Sequence, residues 1–221
     1  MAFDTQILDL VNVDSSLHDQ AAMDGWATDA VKEIINILPP ELKMECATIT
    51  SLTSSTPMDL DATGQIFHVT RENADSGYHI GCRQVNPILA GSADDSTSIH
   101  FVTATDPIYW IESDTGGDPK LFVKPTPTAN QPARVHHVSF PTVDVSAVSA
   151  IVNFPDEAEY LVVLYTAIKV AESAMVTEED PELFAPIIAT LKQDYDKGIK
   201  ILAGGTAPKQ SQKLGDIAIP G

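Results

Sequence analysis

The sequence predicts an α+β fold: a small helical bundle, formed by an N-terminal helix and a C-terminal helical hairpin, with an inserted antiparallel β unit and an extended C-terminal tail. Three observations predict it. Residues 153–176, NFPDEAEYLVVLYTAIKVAESAMV, are apolar on two helical faces. A middle third of short β-like runs is punctuated by turn residues. Helical stripes flank that third on both sides in sequence. The divisions expected are residues 1–47 for an arm and helices, 48–145 for the β domain, 146–203 for the hairpin and 204–221 for the tail.

The long apolar stretch organises the rest. Leu161, Leu164, Tyr165, Ile168, Ala171 and Met175 fall on one helical face, and Val163, Ala167, Val170 and Ala174 on another. Glu159, Thr166, Lys169 and Ser173 leave a narrow polar stripe. Asn153 can cap its start, Pro155 suits a first turn, and Asp156, Glu157 and Glu159 place negative charge at the positive end of the helix dipole. A helix apolar on two faces needs covering on both. The partners are the other helices of the chain or the same helix in a neighbouring subunit. Val163, Leu164, Ala167, Ile168 and Val170 are therefore the expected core-helix and subunit-interface residues.

In order along the chain, residues 1–14 alternate loosely and read as an arm. Ser16 and Asp19 form a capping pair for a first helix, whose stripe is Met23, Trp26, Ala27, Ala30, Ile34, Ile37 and Leu38. Gly25 weakens that helix, and Pro39-Pro40 stops it; Pro40-Glu41-Leu42 opens a short second one. From Thr48 the chain turns Thr/Ser-rich. The β-like runs are 65–71, 78–85, 98–103, 108–112, 121–124 and 134–140, separated by ENADSG, AGSADDS and the hairpin signal SDTGGDP. Pro141–Val152 is a link. After the apolar helix, Asp180 and Pro181 begin a last helix with the stripe Ile188, Leu191, Tyr195, Ile199 and Leu202. Pro186 either interrupts its first turn or marks its start. The short connection makes the two helices antiparallel. The segment from Gly204 carries Lys209 and Lys213, then Leu214, Ile217 and Ile219: a strand awaiting a partner, or a disordered tail.

Thirty-one acidic residues against thirteen Lys and Arg give a formal net charge of -18, which disfavours tight wrapping of nucleic acid. Two cysteines, Cys46 and Cys82, form no CxxC pattern. No signal peptide or apolar stretch of about 18 residues is evident, so a soluble chain made in a cytoplasm is expected, with no membrane contact. The six histidines lack the usual ligand spacings, and His136 and His137, adjacent in a strand, point to opposite faces. Asp94, Asp95 and His100 are the one candidate metal cluster, more simply read as a turn. No GxSxG, GxxxxGK[ST] or GxGxxG occurs, and Cys82 and His79 sit at an offset that separates them. Trp26 and Trp110 read as core anchors. No catalytic residue, metal or cofactor is expected.

The order of segments resembles that of head–tail connector (neck adaptor) proteins of tailed bacteriophages. The resemblance runs through ILPPEL, TSLTSSTPMDL, GQIFHVTREN, GYHIGCRQVNPILAG, DPIYWIESDTGGDPKLFVKPTPTA and ARVHHVSFPTVD to NFPDEAEYLVVLYTAIKVAE, over residues 34–176. It rests on the ordered set, and the last helix and tail match less clearly. It implies a structural virion protein: a homo-oligomeric ring, usually twelvefold, docked below the portal protein and joined to a downstream neck or tail protein. DNA would pass through its lumen without specific binding. It implies no catalytic residues. The tail, through Lys209, Lys213, Leu214, Ile217 and Ile219, is the expected portal contact. Another neck or tail protein, such as a tail terminator, is the nearest alternative. A metal-dependent enzyme or ligand-binding domain at Asp94/Asp95 is the distant one.

Overall fold

The computed structural model describes residues 2–13, 19–73, 77–177 and 181–203. The class is α+β, with six helices and two four-stranded sheets among the described residues. Helices α1 (Phe3–Val11), α2 (Gln20–Ile37) and α3 (Pro40–Lys43) come first. Strands β1 (Ala47–Leu52), β2 (Met58–Asp59), β3 (Thr63–Glu72), β4 (His79–Gly81) and β5 (Arg83–Gln84) follow. A short helix α4 (Pro87–Ala90) precedes β6 (Ile108–Ser113), β7 (Pro119–Lys124) and β8 (Ala133–Ser139). The chain closes with α5 (Asp156–Thr177) and α6 (Pro181–Leu202).

α5 is the centre of the helical layer. Eleven of its twenty-two residues are buried. α1, α2 and α6 each lie against it, and one core of side chains joins all four. By length and composition α5 is apolar enough to cross a membrane, which the sequence reading did not anticipate. Within this fold that apolar surface is spent on three neighbouring helices. Thr166, expected on the polar stripe, is fully buried. Its hydroxyl donates to the Val162 carbonyl at 2.8 Å, so the core holds no unpaired polar group there.

Residues 3–11 form a helix where an arm was expected. Phe3, Ile7 and Val11 are four residues apart and all are buried on one face. α2 starts as expected, with the Asp19 carboxylate accepting from the Ala21 N–H at 3.1 Å; Ser16 lies outside the described residues. α5 starts at Asp156, and Asn153 takes a left-handed backbone, φ 56°. The Glu159 carboxylate reaches back to the Ile151 N–H at 2.6 Å. α6 runs continuously from Pro181 through Pro186.

The link 141–152 is a strap across the helices. Val143 and Val145 are buried, and their N–H groups donate to Thr28 Oγ1 (3.0 Å) and Asp24 Oδ1 (2.9 Å) on α2. The carbonyls of Val145 and Val148 accept from Asp4 and Phe3 at the start of α1 (3.0 and 3.3 Å). Two consecutive helices are thereby bridged by one segment more than a hundred residues further along the chain.

The β unit is two sheets, of strand order β1-β8-β3-β4 and β2-β7-β6-β5. All pairs are antiparallel except β5–β6, which is parallel, so the expectation of a purely antiparallel unit is corrected. The run expected over 78–85 is divided at Cys82: β4 belongs to the first sheet and β5 to the second. The strand expected over 98–103 is a series of turns, and the Thr/Ser-rich stretch after Ala47 is strand β1. Val69, Ala133 and Val135 of the first sheet pack with Leu121, Val123 and Met58 of the second. The opposite face of the second sheet offers Ile108 and Trp110 to Ala90, Ala93 and Val102. The β6–β7 hairpin turns through Gly117 at φ 92°, a conformation that favours glycine.

α6 packs closely on α5 at Gly198, where an added Cβ would sit 2.3 Å from Leu161 Cδ2. Leu161 is buried and has little room to yield. Gly198→Ala should therefore destabilise by about 1–3 kcal/mol through overpacking, in spite of alanine's better helix propensity. In urea unfolding, Leu161→Ala alone should cost about 2–5 kcal/mol, and the double variant should cost less than the two summed.

Candidate functional site

The residues with chemical potential are dispersed over the fold and mostly occupied. Asp94 ends the single turn after α4 and pairs with Lys124. Asp95 Oδ1 accepts from both the N–H and the hydroxyl of Thr97, at 2.9 and 2.7 Å, and this lowers its pKa. The Asp95 carboxylate thus shapes a turn, and that of Asp94 is taken up in an ion pair with β7. Among the described residues no group of three His, Cys, Asp or Glu side chains is placed to hold a metal ion.

Both thiols sit in apolar surroundings. Burial pushes Cys46 up to about 11 and Cys82 to about 12, so neither is a thiolate at neutral pH. Cys82 packs between the sheets, away from the outward face that carries His79. Trp110 is buried and stacks on Phe122, centroids 5.3 Å apart; Trp26 is only half-buried beside the helical core.

Arg71 is the group that sequence reasoning passed over. It is 3% exposed, on the inward face of β3 with Val69. Its Nε donates to the Pro125 carbonyl (2.8 Å), Nη1 to the Glu72 carbonyl (3.2 Å) and Nη2 to Thr126 O (3.4 Å) and Gln131 Oε1 (2.9 Å). The guanidinium thus gathers the β7–β8 loop, and burial lowers its pKa. An Arg two residues after a core valine in a strand was the available signal. Its partners are almost all backbone carbonyls, which no sequence motif encodes.

The loop 54–57 and β7 enclose a pocket of about 230 Å³ lined by Ser54, Thr56, Pro57, Trp110, Phe122 and Lys124, among others. Its one ionisable lining side chain is Lys124, which pairs with Asp94. A longer apolar groove follows α1, α5 and α6, with Leu10 and Tyr160 shared by two adjoining depressions of about 430 and 290 Å³.

The expected core-helix and interface residues Val163, Leu164, Ala167, Ile168 and Val170 all lie inside the helical core, at most 6% exposed. They have no surface left for a neighbouring subunit. The exposed large apolar side chains of α5 are Tyr160 and Val176. The other set, Lys209, Lys213, Leu214, Ile217 and Ile219, lies outside the described residues.

On the outer face of the first sheet, His68 and His136 pair across β3 and β8 and stack with centroids 4.0 Å apart. His79 of β4 lies near them, its Nδ1 buried without a hydrogen-bond partner. His137 points inward, its Nε2 2.9 Å from Thr50 Oγ1. Burial, then the neighbouring His68 and Arg134, hold the pKa of His136 below its ordinary value. The fold thus favours the neutral ring. The unfolded chain takes up the proton first, so stability is intact above pH 6.5 and falls as pH drops below it. Urea midpoints at pH 7.5 and 5.5 should show a larger loss for the natural chain than for His136→Gln.

Set against known proteins, the chain matches no family model, and no curated protein sequence matches it significantly.

Proposed function

We propose that this chain is a structural virion protein, the head–tail connector subunit of a tailed bacteriophage. The observation that carries the reading is the ordered resemblance over residues 34–176, ending in the acidic-start helix α5. We read α1, α2, α5 and α6 as a small helical bundle, with the β unit spliced between α3 and the strap as a module of its own. Copies arranged side by side about an axis would form a ring, twelvefold by the resemblance, beneath a portal protein and above a neck or tail protein. The segment Lys209–Ile219 is assigned to portal contact. A lumen wall carrying part of the -18 charge would repel DNA phosphates and let the genome pass without stalling. The site of action is the virion neck, assembled in the host cytoplasm.

We therefore place the subunit interface elsewhere than on the inner faces of α5, a reading supported by their burial within the chain. Ala167 is fully buried in its own chain, so Ala167→Glu should prevent folding itself, seen as loss of cooperative unfolding, instead of yielding a folded monomer. Electron microscopy and native mass of the full chain, alone and mixed with the portal protein of the same genome, test the assignment. Rings seated on portal particles are expected. A monomer at every concentration that leaves portal particles bare overturns it, and a ring with a basic lumen overturns the charge argument.

A further inference from the structure

The groove along α1, α5 and α6 is an apolar surface on the helical layer. Leu10, Tyr160, Val163, Ile187 and Leu191 line it, with Asp9 at one end and Asp194 at the other. Tyr160 is 54% exposed, although α5 is otherwise the most buried helix of the fold. Asp194 is shared with Lys197 at 3.1 Å in a solvent-exposed pair, which holds it only weakly.

The sequence beyond Ala203 supplies a fitting occupant. It carries two lysines, Lys209 and Lys213, against one acid, Asp216, on a chain of formal net charge -18. Immediately after Lys213 come Leu214, Ile217 and Ile219, the last large apolar side chains of the sequence. The reach is sufficient. From Leu202 back to Asp194 is about 12 Å along α6, and to Pro186 about 24 Å. The ten residue steps from Gly204 to Leu214 can span about 33 Å. A tether of that length holds the segment at millimolar effective concentration, which favours its own groove over that of a second copy in dilute solution.

We infer that residues 209–219 of the same chain dock in this groove, Leu214, Ile217 and Ile219 against Leu10, Tyr160 and Ile187, with Lys209 and Lys213 towards Asp9 and Asp194. The inference does not depend on the connector reading. If that reading holds, the groove keeps the segment covered until a partner takes it.

The test uses the full chain with a benzophenone side chain at position 217. Irradiation in dilute solution, on an equal mixture of light and heavy-isotope chains, should give products within one chain, at peptides containing Leu10, Tyr160 or Ile187. Tyr160→Asp, at a half-exposed position the fold tolerates, should cut their yield at least fivefold. Amide exchange over residues 186–194 should quicken several-fold in Ile217→Asp/Ile219→Asp. Products joining light to heavy chains, products elsewhere on the surface, or exchange indifferent to the Ile217→Asp/Ile219→Asp change overturn the inference. Ring formation with the portal is read separately, so its failure leaves this result standing.

Discussion

Everything in this fold follows from the need to cover α5. A 22-residue helix with apolar side chains around most of its circumference is insoluble by itself and gains its stability from packing. α1, α2 and α6 supply that cover, and small residues set how near they come. Ala158, Ala167, Ala171 and Ala174 on α5 share one core with Ala27 and Ala30 on α2, and Gly198 lets α6 press directly on Leu161. Larger residues at these positions would bury more area each but hold the helices apart. Close approach keeps the interior at crystal-like density and gives the helical layer one arrangement.

The β unit is bound to that layer by few devices, and each solves a backbone problem. The strap at 141–152 must bury Val143 and Val145 without stranding their amides, and Thr28 and Asp24 of α2 receive them. Polar residues on a helix facing a core are therefore acceptors for a segment over a hundred residues away. Arg71 does the converse inside the β unit, donating to carbonyls of the β7–β8 loop. Between the sheets, the passage from β4 to β5 at Cys82 carries the chain from one sheet to the other. The two sheets cannot then slide apart without unpairing a strand.

The long periodic segments were legible because one period dominated them. α2, α5 and α6 and most strands stand where their apolar spacing put them. α1 was missed because its three buried residues, Phe3, Ile7 and Val11, are separated by a mix of polar and apolar positions that also reads as alternation. β1 was hidden by its Thr and Ser content: its side chains are half-exposed at a sheet edge, where polarity is tolerated and periodicity fades. The strand expected over 98–103 failed because Ile99 and Phe101, the residues that suggested it, are exposed on turns. The parallel β5–β6 pair lay beyond sequence reasoning, since pairing is set by three-dimensional closure. The same limit applies to the interface residues on α5. Periodicity tells how many faces must be covered, and only the coordinates tell that the chain covers them itself.

The charge of the chain has a local explanation that competes with any channel. Asp19 caps α2, Asp59 receives the amide of Asp61 in the turn before β3, Asp114 receives the amides of Gly116 and Asp118, and Asp144 those of Ser146 and Ala147. Asp59, Asp95 and Asp144 are all held below the usual carboxylate pKa, first by a side-chain donor (Lys120, Thr97 and Ser146 respectively) and then by turn amides. A fold rich in short strands and turns needs acceptors of this kind, and aspartate is a common solution. Part of the negative surplus is therefore the signature of many tight turns. Repulsion of a passing polyanion has to be argued from acids that cap nothing, on helix flanks such as Asp9 and Asp196, and from whether symmetry turns those flanks towards a common axis.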